Sequence, residues 1–214
     1  MCGEGDRMKP YYEAGGITIY HGDCRELLAD LRADVVITDP PYNVGLDYSD
    51  GDSRENYAEW TAEWFRSCPR PLVVTPGTVN LGMWLRMEEP RWICSWMKPN
   101  QCSASALNGF NVWEPILVYG KHLKPVGQDG WVTNIQTNQS TVGDGHPCPK
   151  DLRFWRQLVA KFSLEDSLVL DPFLGSGTTL RAAKDLGRRA VGIEVEERYC
   201  QLAVDRLGQE VLPV

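Results

Sequence analysis

Short apolar runs without polar alternation are the feature that most strongly constrains the fold of this chain. Residues 33–38 and 167–171 are runs of this kind, built mainly of valine, isoleucine and leucine. Such runs are typical of parallel strands that are covered on both faces. Because parallel strands need long crossover connections, these runs predict a sheet with helices packed on both sides.

Other segments alternate between strand-like and helix-like patterns in the same way. The predicted strands are 17–21, 72–75, 91–96, 115–119 and 189–194, beside the two runs above. The predicted helices are 24–31, 57–66, 78–86, 152–162, 178–186 and 196–207. This alternation predicts an α/β fold with a mainly parallel sheet.

The length of 214 residues suits one domain of this class, so we expect a single domain over residues 1–214. Met8 would serve as a start as well as Met1, and residues 1–7 are therefore interpreted as a dispensable leader. Residues 121–149 are rich in Gly, Asn, Gln, Thr and Pro, which predicts a long connection rather than core.

Composition excludes several classes of function. No apolar run approaches the roughly 20 residues of a membrane span, so we expect a soluble protein that does not enter membranes. The seven cysteines include no C-x-x-C pair and share no ligand spacing with the histidines, which predicts no metal site and a reduced, cytoplasmic compartment. The net charge of −7 implies that any surface for nucleic acid is local.

The segment after the second apolar run combines a strand end, glycines and a helix start. Ligands of doubly wound sheets bind at such a position, where glycine permits close approach and the helix N–H groups attract an anion. The candidate cofactor-binding residues in this segment are Asp171, Phe173, Gly175, Ser176, Gly177 and Thr178.

Glu194 ends the next predicted strand, where a carboxylate can accept hydrogen bonds from both hydroxyls of a ribose. A glycine loop followed by such an acid predicts a nucleoside ligand. Taken alone, this pair of features fits a dinucleotide and S-adenosylmethionine equally well.

The first apolar run ends at Asp39-Pro40-Pro41-Tyr42, whose two prolines prevent continuation of the strand. This tetrapeptide resembles the catalytic motif of the amino-methyltransferases of DNA, which use S-adenosylmethionine. The resemblance implies that Asp39 and the carbonyl of Pro40 accept the two hydrogens of an exocyclic amine. Pro40 and Pro41 would hold that carbonyl rigidly, and Tyr42 would stack on a base that has left the helix.

The order of the motifs, with the catalytic strand before the cofactor loop, resembles the beta group of these enzymes. This resemblance runs from about Ile17 to Leu207 and implies a Rossmann-like methyltransferase fold with circularly permuted motif order. It also implies that a target-recognition insert lies between the two halves, here at about residues 121–145.

Further segments resemble that group. Gly22-Asp23-Cys24 is similar to the segment that reaches the adenine of the cofactor, with Asp23 as acceptor of its amino group. Residues 92–100 and 113–121 are similar to strands beside the target-base pocket. The segment 146–150 is similar to the one before the cofactor loop, in which Lys150 would pair with the methionine carboxylate.

This chain departs from the group in three places. Asp151 stands where a proline is usual, and Trp113 stands where histidine often precedes the glutamate. The insert at 121–145 is short for reading several base pairs in the major groove. This length implies that the recognised DNA sequence is short or loosely defined, or that a partner subunit, for example in a homodimer, supplies further recognition.

The interpretation is a DNA methyltransferase that methylates N6 of adenine, with or without a restriction partner. Aspartate at position 39 favours adenine, since serine is common there in cytosine-directed enzymes. The alternatives are an N4-cytosine DNA methyltransferase, an RNA methyltransferase, and a nucleotide-binding module without turnover.

Overall fold

The computed structural model describes residues 9–44, 55–98, 103–104, 110–121, 134–136 and 151–209. The strands in these residues are β1 (Tyr12–Ala14), β2 (Ile17–His21), β3 (Val35–Thr38), β4 (Leu72–Val74), β5 (Trp92–Met97), β6 (Ser103–Ala104), β7 (Phe110–Asn111), β8 (Trp113–Tyr119), β9 (Asn134–Gln136), β10 (Leu168–Asp171) and β11 (Arg189–Glu194). The helices are α1 (Cys24–Leu27), α2 (Tyr57–Ser67), α3 (Leu81–Met87), α4 (Leu152–Phe162), α5 (Thr178–Asp185) and α6 (Glu197–Gly208).

The main sheet has nine strands in the order β1-β2-β11-β10-β3-β4-β8-β5-β9. Its central strands β2, β11, β10, β3 and β4 pair in parallel, each with the next. Strand β8 is antiparallel to both of its neighbours, and β1 is antiparallel to β2. The predicted Rossmann-like fold is confirmed, and β3 lies beside β10.

Helices cover both faces of this sheet. Neighbouring residues of each central strand point to opposite faces, and both sets are apolar. In β3, Val35 and Ile37 belong to the same apolar cluster as Leu158 of α4. Val36 belongs to the opposite cluster, which contains Trp64 of α2. Each buried strand is apolar on both faces, which explains the lack of polar alternation in its sequence.

The structure differs from the sequence prediction at several elements, including the short strands β6 and β7, which were not predicted. Helix α1 ends at Leu27, and hydrogen-bonded turns follow it where the amphipathic pattern predicted a helix to residue 31. Helix α3 begins at Leu81 because residues 78–80 form a turn. The edge strands β1 and β9 were not predicted; β9 lies in the segment interpreted as a connection and pairs in parallel with β5. Edge strands pair through their backbone groups and need few apolar side chains, so their sequences carry only a weak apolar pattern.

Within the described part of the chain, no helix is long and apolar enough to cross a membrane. The same residues contain no group of three histidine, cysteine, aspartate or glutamate side chains that could hold a metal ion.

Candidate active site

A pocket lies at the carboxyl ends of the adjacent parallel strands β2, β11, β10 and β3. Its walls are formed by Gly22, Asp23, Cys24, Asp39, Pro40, Pro41, Tyr42, Trp60, Trp155, Asp171, Pro172, Phe173, Leu174, Gly175, Ser176, Thr178, Thr179, Ile193, Glu194, Val195, Glu196 and Tyr199. Segments far apart in sequence meet here because loops after parallel strands leave the sheet at the same edge. The predicted catalytic tetrapeptide and most predicted cofactor residues therefore share one pocket.

Asp39 follows β3 directly, and two hydroxyl groups donate to the same oxygen of its carboxylate. The donors to Oδ1 are the side chains of Tyr42 and Thr75. Thr75 follows the neighbouring strand β4, and its backbone N–H donates to the carbonyl of Thr38 at 3.2 Å. The orientation of the Asp39 carboxylate is therefore set by the sheet as well as by its own loop.

Tyr42 lies between two carboxylates. Its hydroxyl donates to Asp39 and lies 3.5 Å from Oε2 of Glu114. Burial, with added repulsion from Asp39 and Glu114, raises the pKa of the Tyr42 phenol well above its ordinary value. Tyr42 therefore stays protonated at neutral pH and can act as a hydrogen-bond donor.

Contacts to the backbone and ring of Tyr42 fix the catalytic loop. The side-chain amide of Asn80 donates to the carbonyl of Tyr42 at 2.8 Å, and the Tyr57 hydroxyl donates to the carbonyl of Pro41 at 2.7 Å. Gly77 has a positive φ of 69°, and a Cβ there would lie 3.1 Å from the Tyr42 ring. The loop after β4 thus packs directly against the catalytic tyrosine candidate.

Beyond Tyr42, Glu114 forms an ion pair with Lys98, and both side chains are largely buried. The Lys98 ammonium also lies 3.8 Å from the centroid of the Trp96 ring, a cation–π contact. Trp96 in turn stacks on Phe154 of α4 with ring centroids 3.8 Å apart. These contacts place a neutralised charge pair beside the predicted catalytic loop, with Glu114 on β8 and Lys98 directly after β5, in the segments that the sequence associated with the target base.

Asp171 ends β10 and is buried, with its Oδ1 accepting from the Thr38 hydroxyl at 2.7 Å and from the Phe173 N–H at 3.1 Å. Burial raises the pKa of Asp171 to about 6, and hydrogen bonds from Thr179 and Thr38 oppose that shift. Asp171 therefore supports the turn into the glycine loop and connects it to β3.

The two glycines of the loop occupy different places. Gly175 lines the pocket, whereas Gly177 is absent from its walls and forms the N-cap of α5 with φ 85°. A Cβ on Gly177 would lie 2.7 Å from the Cβ of Ala203 in α6. Close packing of α5 against α6 therefore requires glycine at 177, a structural reason that the motif alone did not reveal.

The other residues predicted in this loop also line the pocket, and some have structural partners. Ser176 and Thr178 are both buried in its wall, and the Thr178 hydroxyl accepts a hydrogen bond from Arg206. Phe173 packs against Trp60 and Trp64 of α2, with ring centroids 5.5 and 4.8 Å away. Thus Phe173 connects the loop to the apolar cluster on the α2 side of the sheet.

Glu194 ends β11, and its carboxylate is oriented by two backbone donors. Oε2 accepts from the Gly175 N–H at 2.8 Å, and Oε1 accepts from the Glu196 N–H at 2.9 Å. This carboxylate lines the pocket together with apolar residues such as Ile193. A fixed carboxylate beside an apolar wall suits a nucleoside, whose ribose donates hydrogen bonds and whose base is flat and weakly polar.

The start of α1, just after β2, contributes Asp23 and Cys24 to the pocket. Asp23 is the N-cap of α1, accepting from the Arg25 N–H at 2.9 Å, and it also forms an ion pair with the Arg25 side chain at 2.7 Å. These contacts give Asp23 a structural role that the sequence analysis missed, although N-caps favour aspartate. Burial raises the pKa of the Cys24 thiol, so Cys24 contributes an uncharged wall.

Lys150, the predicted partner of the methionine carboxylate, lies outside the described residues, as does His146. The sequence analysis also missed several wall residues, among them Trp60 and Trp155. Both lie on predicted helices and pack against the apolar clusters, so no local pattern distinguished them.

Several basic residues that could have contacted phosphate instead have partners within the fold. Arg181 is buried and pairs with Asp185, which also pairs with Arg156. Lys184 donates to the carbonyl of Leu207, and Arg188 donates to Ser163. These cations therefore stabilise the packing of α4, α5 and α6.

The chain matches the family model described as DNA methylase, N6_N4_Mtase, over residues 33–79 and 86–205. Among curated proteins it is 28% identical to the type II methyltransferase M.ScaI of Streptomyces caespitosus, over 94% of this chain and 84% of that protein. It is 29% identical to the type II methyltransferase M.HpaI of Haemophilus parainfluenzae, over 86% of this chain and 70% of that protein.

Solved structures show the same fold. The crystal structure of the M1.HpyAVI–SAM complex superposes with a TM-score of 0.69 at 27% identity, covering 90% of this chain and 100% of that one. The PvuII DNA methyltransferase, described as cytosine-N4-specific, superposes with a TM-score of 0.76 at 18% identity, covering 97% of this chain and 92% of that one. The family match spans both the catalytic tetrapeptide and the glycine loop, and the pocket suits a nucleoside. The chain therefore belongs to the DNA methylase family of N6/N4 amino-methyltransferases, whose cofactor is S-adenosylmethionine.

Proposed function

We propose that this enzyme transfers the methyl group of S-adenosylmethionine to the N6 amino group of adenine in DNA. The observation that carries the proposal is the shared pocket. The oriented Asp39 carboxylate lines the same pocket as Glu194 and Gly175. The catalytic and cofactor groups are thus within one cavity.

The chemistry follows from the weakness of an exocyclic amine as a nucleophile. Its lone pair is delocalised into the ring, so the amine must be made more tetrahedral before it can accept a methyl group. We propose that Asp39 and the carbonyl of Pro40 accept its two N–H hydrogens and that rigid Pro41 and the ring of Tyr42 hold the loop and the base. Preorganised acceptors of this kind act mainly on the transition state. The cofactor supplies an electrophilic methyl group on a sulfonium.

The cofactor roles are proposed residue by residue. Glu194 accepts from the ribose hydroxyls, and Asp23 and Cys24 lie at the adenine end. The loop residues form the wall around the remainder of the cofactor: Asp171, Phe173, Gly175, Ser176 and Thr178. Gly177 supports that loop through helix packing, and Lys150 pairs with the methionine carboxylate.

The identity of a single residue supports adenine rather than cytosine as the target base. Asp39 occupies the first position of the tetrapeptide, as in the adenine-directed enzymes that this chain resembles. The short insert at 121–145 supports recognition of a short DNA sequence, and a homodimer would supply a second recognition surface.

The test is expression in cells without DNA methylation of their own, followed by single-molecule sequencing of their DNA. N6-methyladenine in a short motif is expected, and cells that express Asp39→Asn should show none. N4-methylcytosine would contradict the adenine assignment. DNA without modification, with transfer to RNA or with cofactor binding alone in purified protein, would contradict DNA as the substrate.

A further inference from the structure

Thr75 is a buried hydroxyl residue that the catalytic motif does not include. Its side chain is 1% exposed and donates to Oδ1 of Asp39. It does not line the pocket, so it acts on bound molecules through Asp39 and through Tyr42, with whose hydroxyl it also forms a hydrogen bond.

The position of Thr75 is set by the sheet. Strands β3 and β4 pair in parallel with Thr38 opposite Val74, and the N–H of Thr75 continues that pairing to the carbonyl of Thr38. The Thr75 hydroxyl therefore approaches Asp39 from a rigid neighbouring strand. Groups placed on strands are held more precisely than groups on loops.

The two donors to Asp39 differ in this respect. Tyr42 lies on the same loop as Asp39 and is partly buried, whereas Thr75 lies on another strand and is fully buried. Thr75 holds the carboxylate directly from the end of the adjacent strand β4, whereas Tyr42 holds it from within the same loop. Rotation of the Asp39 side chain would break the bond to Thr75, so this bond restricts the direction of both carboxylate oxygens.

The same arrangement recurs one strand away. Thr38, at the end of β3, is fully buried and donates to Oδ1 of Asp171 at the end of β10. The carboxylates of Asp39 and Asp171 are thus each oriented by a threonine at the end of an adjacent strand.

We propose that Thr75 is a positioning residue for methyl transfer, which directs the Asp39 carboxylate toward the target amine. This inference rests on the proposed role of Asp39 as the acceptor of the amine hydrogens. A displacement of the carboxylate would weaken a contact needed in the transition state and leave binding of the cofactor and DNA nearly unchanged.

The experiment compares Thr75→Val, which removes the hydroxyl at nearly constant volume, with Thr75→Ser, which retains it. For Thr75→Val we expect kcat for methyl transfer to duplex DNA to fall by about tenfold or more. The KM for DNA and the Kd for S-adenosylhomocysteine, measured by calorimetry, should each stay within about threefold of wild type. Thr75→Ser should recover most of the lost kcat.

Thr61→Val is the matched control. Thr61 is also fully buried and its hydroxyl donates to the carbonyl of Tyr57 at 2.7 Å, an ordinary bond within α2. Both valine variants should lower the Tm by losing one buried hydrogen bond, but only Thr75→Val should lower kcat. If Thr75→Val fails to fold, Thr75→Ala removes the same hydroxyl without added bulk and is compared with Thr75→Ser instead.

Asp39→Asn separates this inference from the proposed function. Wild-type kcat in Asp39→Asn would overturn the assignment of Asp39 itself. Loss of transfer in Asp39→Asn together with wild-type kcat in Thr75→Val would overturn the positioning role alone. Equal losses in Thr75→Val and Thr75→Ser would also overturn it, since the hydroxyl would then be irrelevant.

Discussion

The carboxylate of Glu194 accepts a hydrogen bond from the backbone N–H of Gly175 at 2.8 Å. The acid at the end of β11 and the glycine loop after β10 are therefore one connected structure. A change at Glu194 affects both the proposed ribose contact and the glycine loop that lines the pocket.

Replacement Glu194→Gln is expected to weaken binding of S-adenosylhomocysteine about tenfold or more, since hydrogen bonds to a charged group contribute about 1.5–3 kcal/mol. Calorimetry measures the Kd directly. The control is Glu197→Gln, which changes an exposed acid of α6 that does not line the pocket. An unchanged Kd in Glu194→Gln would refute the ribose assignment.

Replacement Gly77→Ala should reduce methyl transfer because its Cβ would lie 3.1 Å from the Tyr42 ring and displace it. Gly187→Ala is the matched control: Gly187 has a similar φ of 72°, and a Cβ there meets nothing within 4 Å. Both variants incur the backbone cost of about 1–2 kcal/mol for a positive φ, and Gly77→Ala adds the cost of displacing the Tyr42 ring, so it should unfold at the lower denaturant concentration. Steady-state kinetics should show a fall in kcat/KM for Gly77→Ala only; similar kinetics in the two variants would contradict the contact.

Ionisation of Asp171 should lower the free energy of unfolding as the pH rises. Its pKa is raised by burial to about 6 in the folded protein, above the ordinary value of 3.8. Stability from the protonated form is therefore fully present below pH 3.8 and is lost as the pH rises through about 6. Two pKa units correspond to at most about 3 kcal/mol.

Replacement Asp171→Asn removes this titration. Between about pH 4 and pH 7, the free energy of unfolding of Asp171→Asn should rise relative to wild type by up to about 3 kcal/mol. Urea denaturation of both proteins at the two pH values provides the measurement. A constant difference between them would show that the pKa of Asp171 is ordinary.

Replacement Gly177→Ala should destabilise the fold, because its Cβ would lie 2.7 Å from the Cβ of Ala203. Overpacking of this kind costs about 1–3 kcal/mol, in addition to the cost of a positive φ. Ala203→Gly removes the opposing Cβ but leaves the Cα of residue 203 at 2.9 Å, so the double variant should recover part of the stability that the sum of the two single changes predicts to be lost. Strict additivity in thermal unfolding would exclude the contact between the two Cβ atoms as a reason for glycine.

Several site residues were predictable because their signals are local. Asp39, Asp171 and Glu194 each stand at the end of a short apolar strand, and Pro40 and Pro41 mark one of those ends by preventing further pairing. The carboxyl ends of parallel strands share one edge of the sheet, and these three residues all line the pocket there.

Other contacts depended on which strands became neighbours. Thr75 reaches Asp39 because β4 lies beside β3, and Glu114 approaches Tyr42 because β8 lies beside β4. No periodicity distinguishes Thr75 from an ordinary strand-end threonine. The sequence patterns at Asp23 and Gly177 suggested contact with a ligand. They gave no indication that Asp23 is an N-cap or that Gly177 permits close helix packing.

The sequence by itself determined the class of the fold, the catalytic tetrapeptide and the glycine loop, since apolar runs, prolines and glycines act through local backbone preferences. Only the tertiary structure decided which groups orient the carboxylates, which glycine lines the pocket and which basic residues are engaged within the fold. These properties depend on contacts between residues distant in the chain, and the order of strands in the sheet brings those residues together.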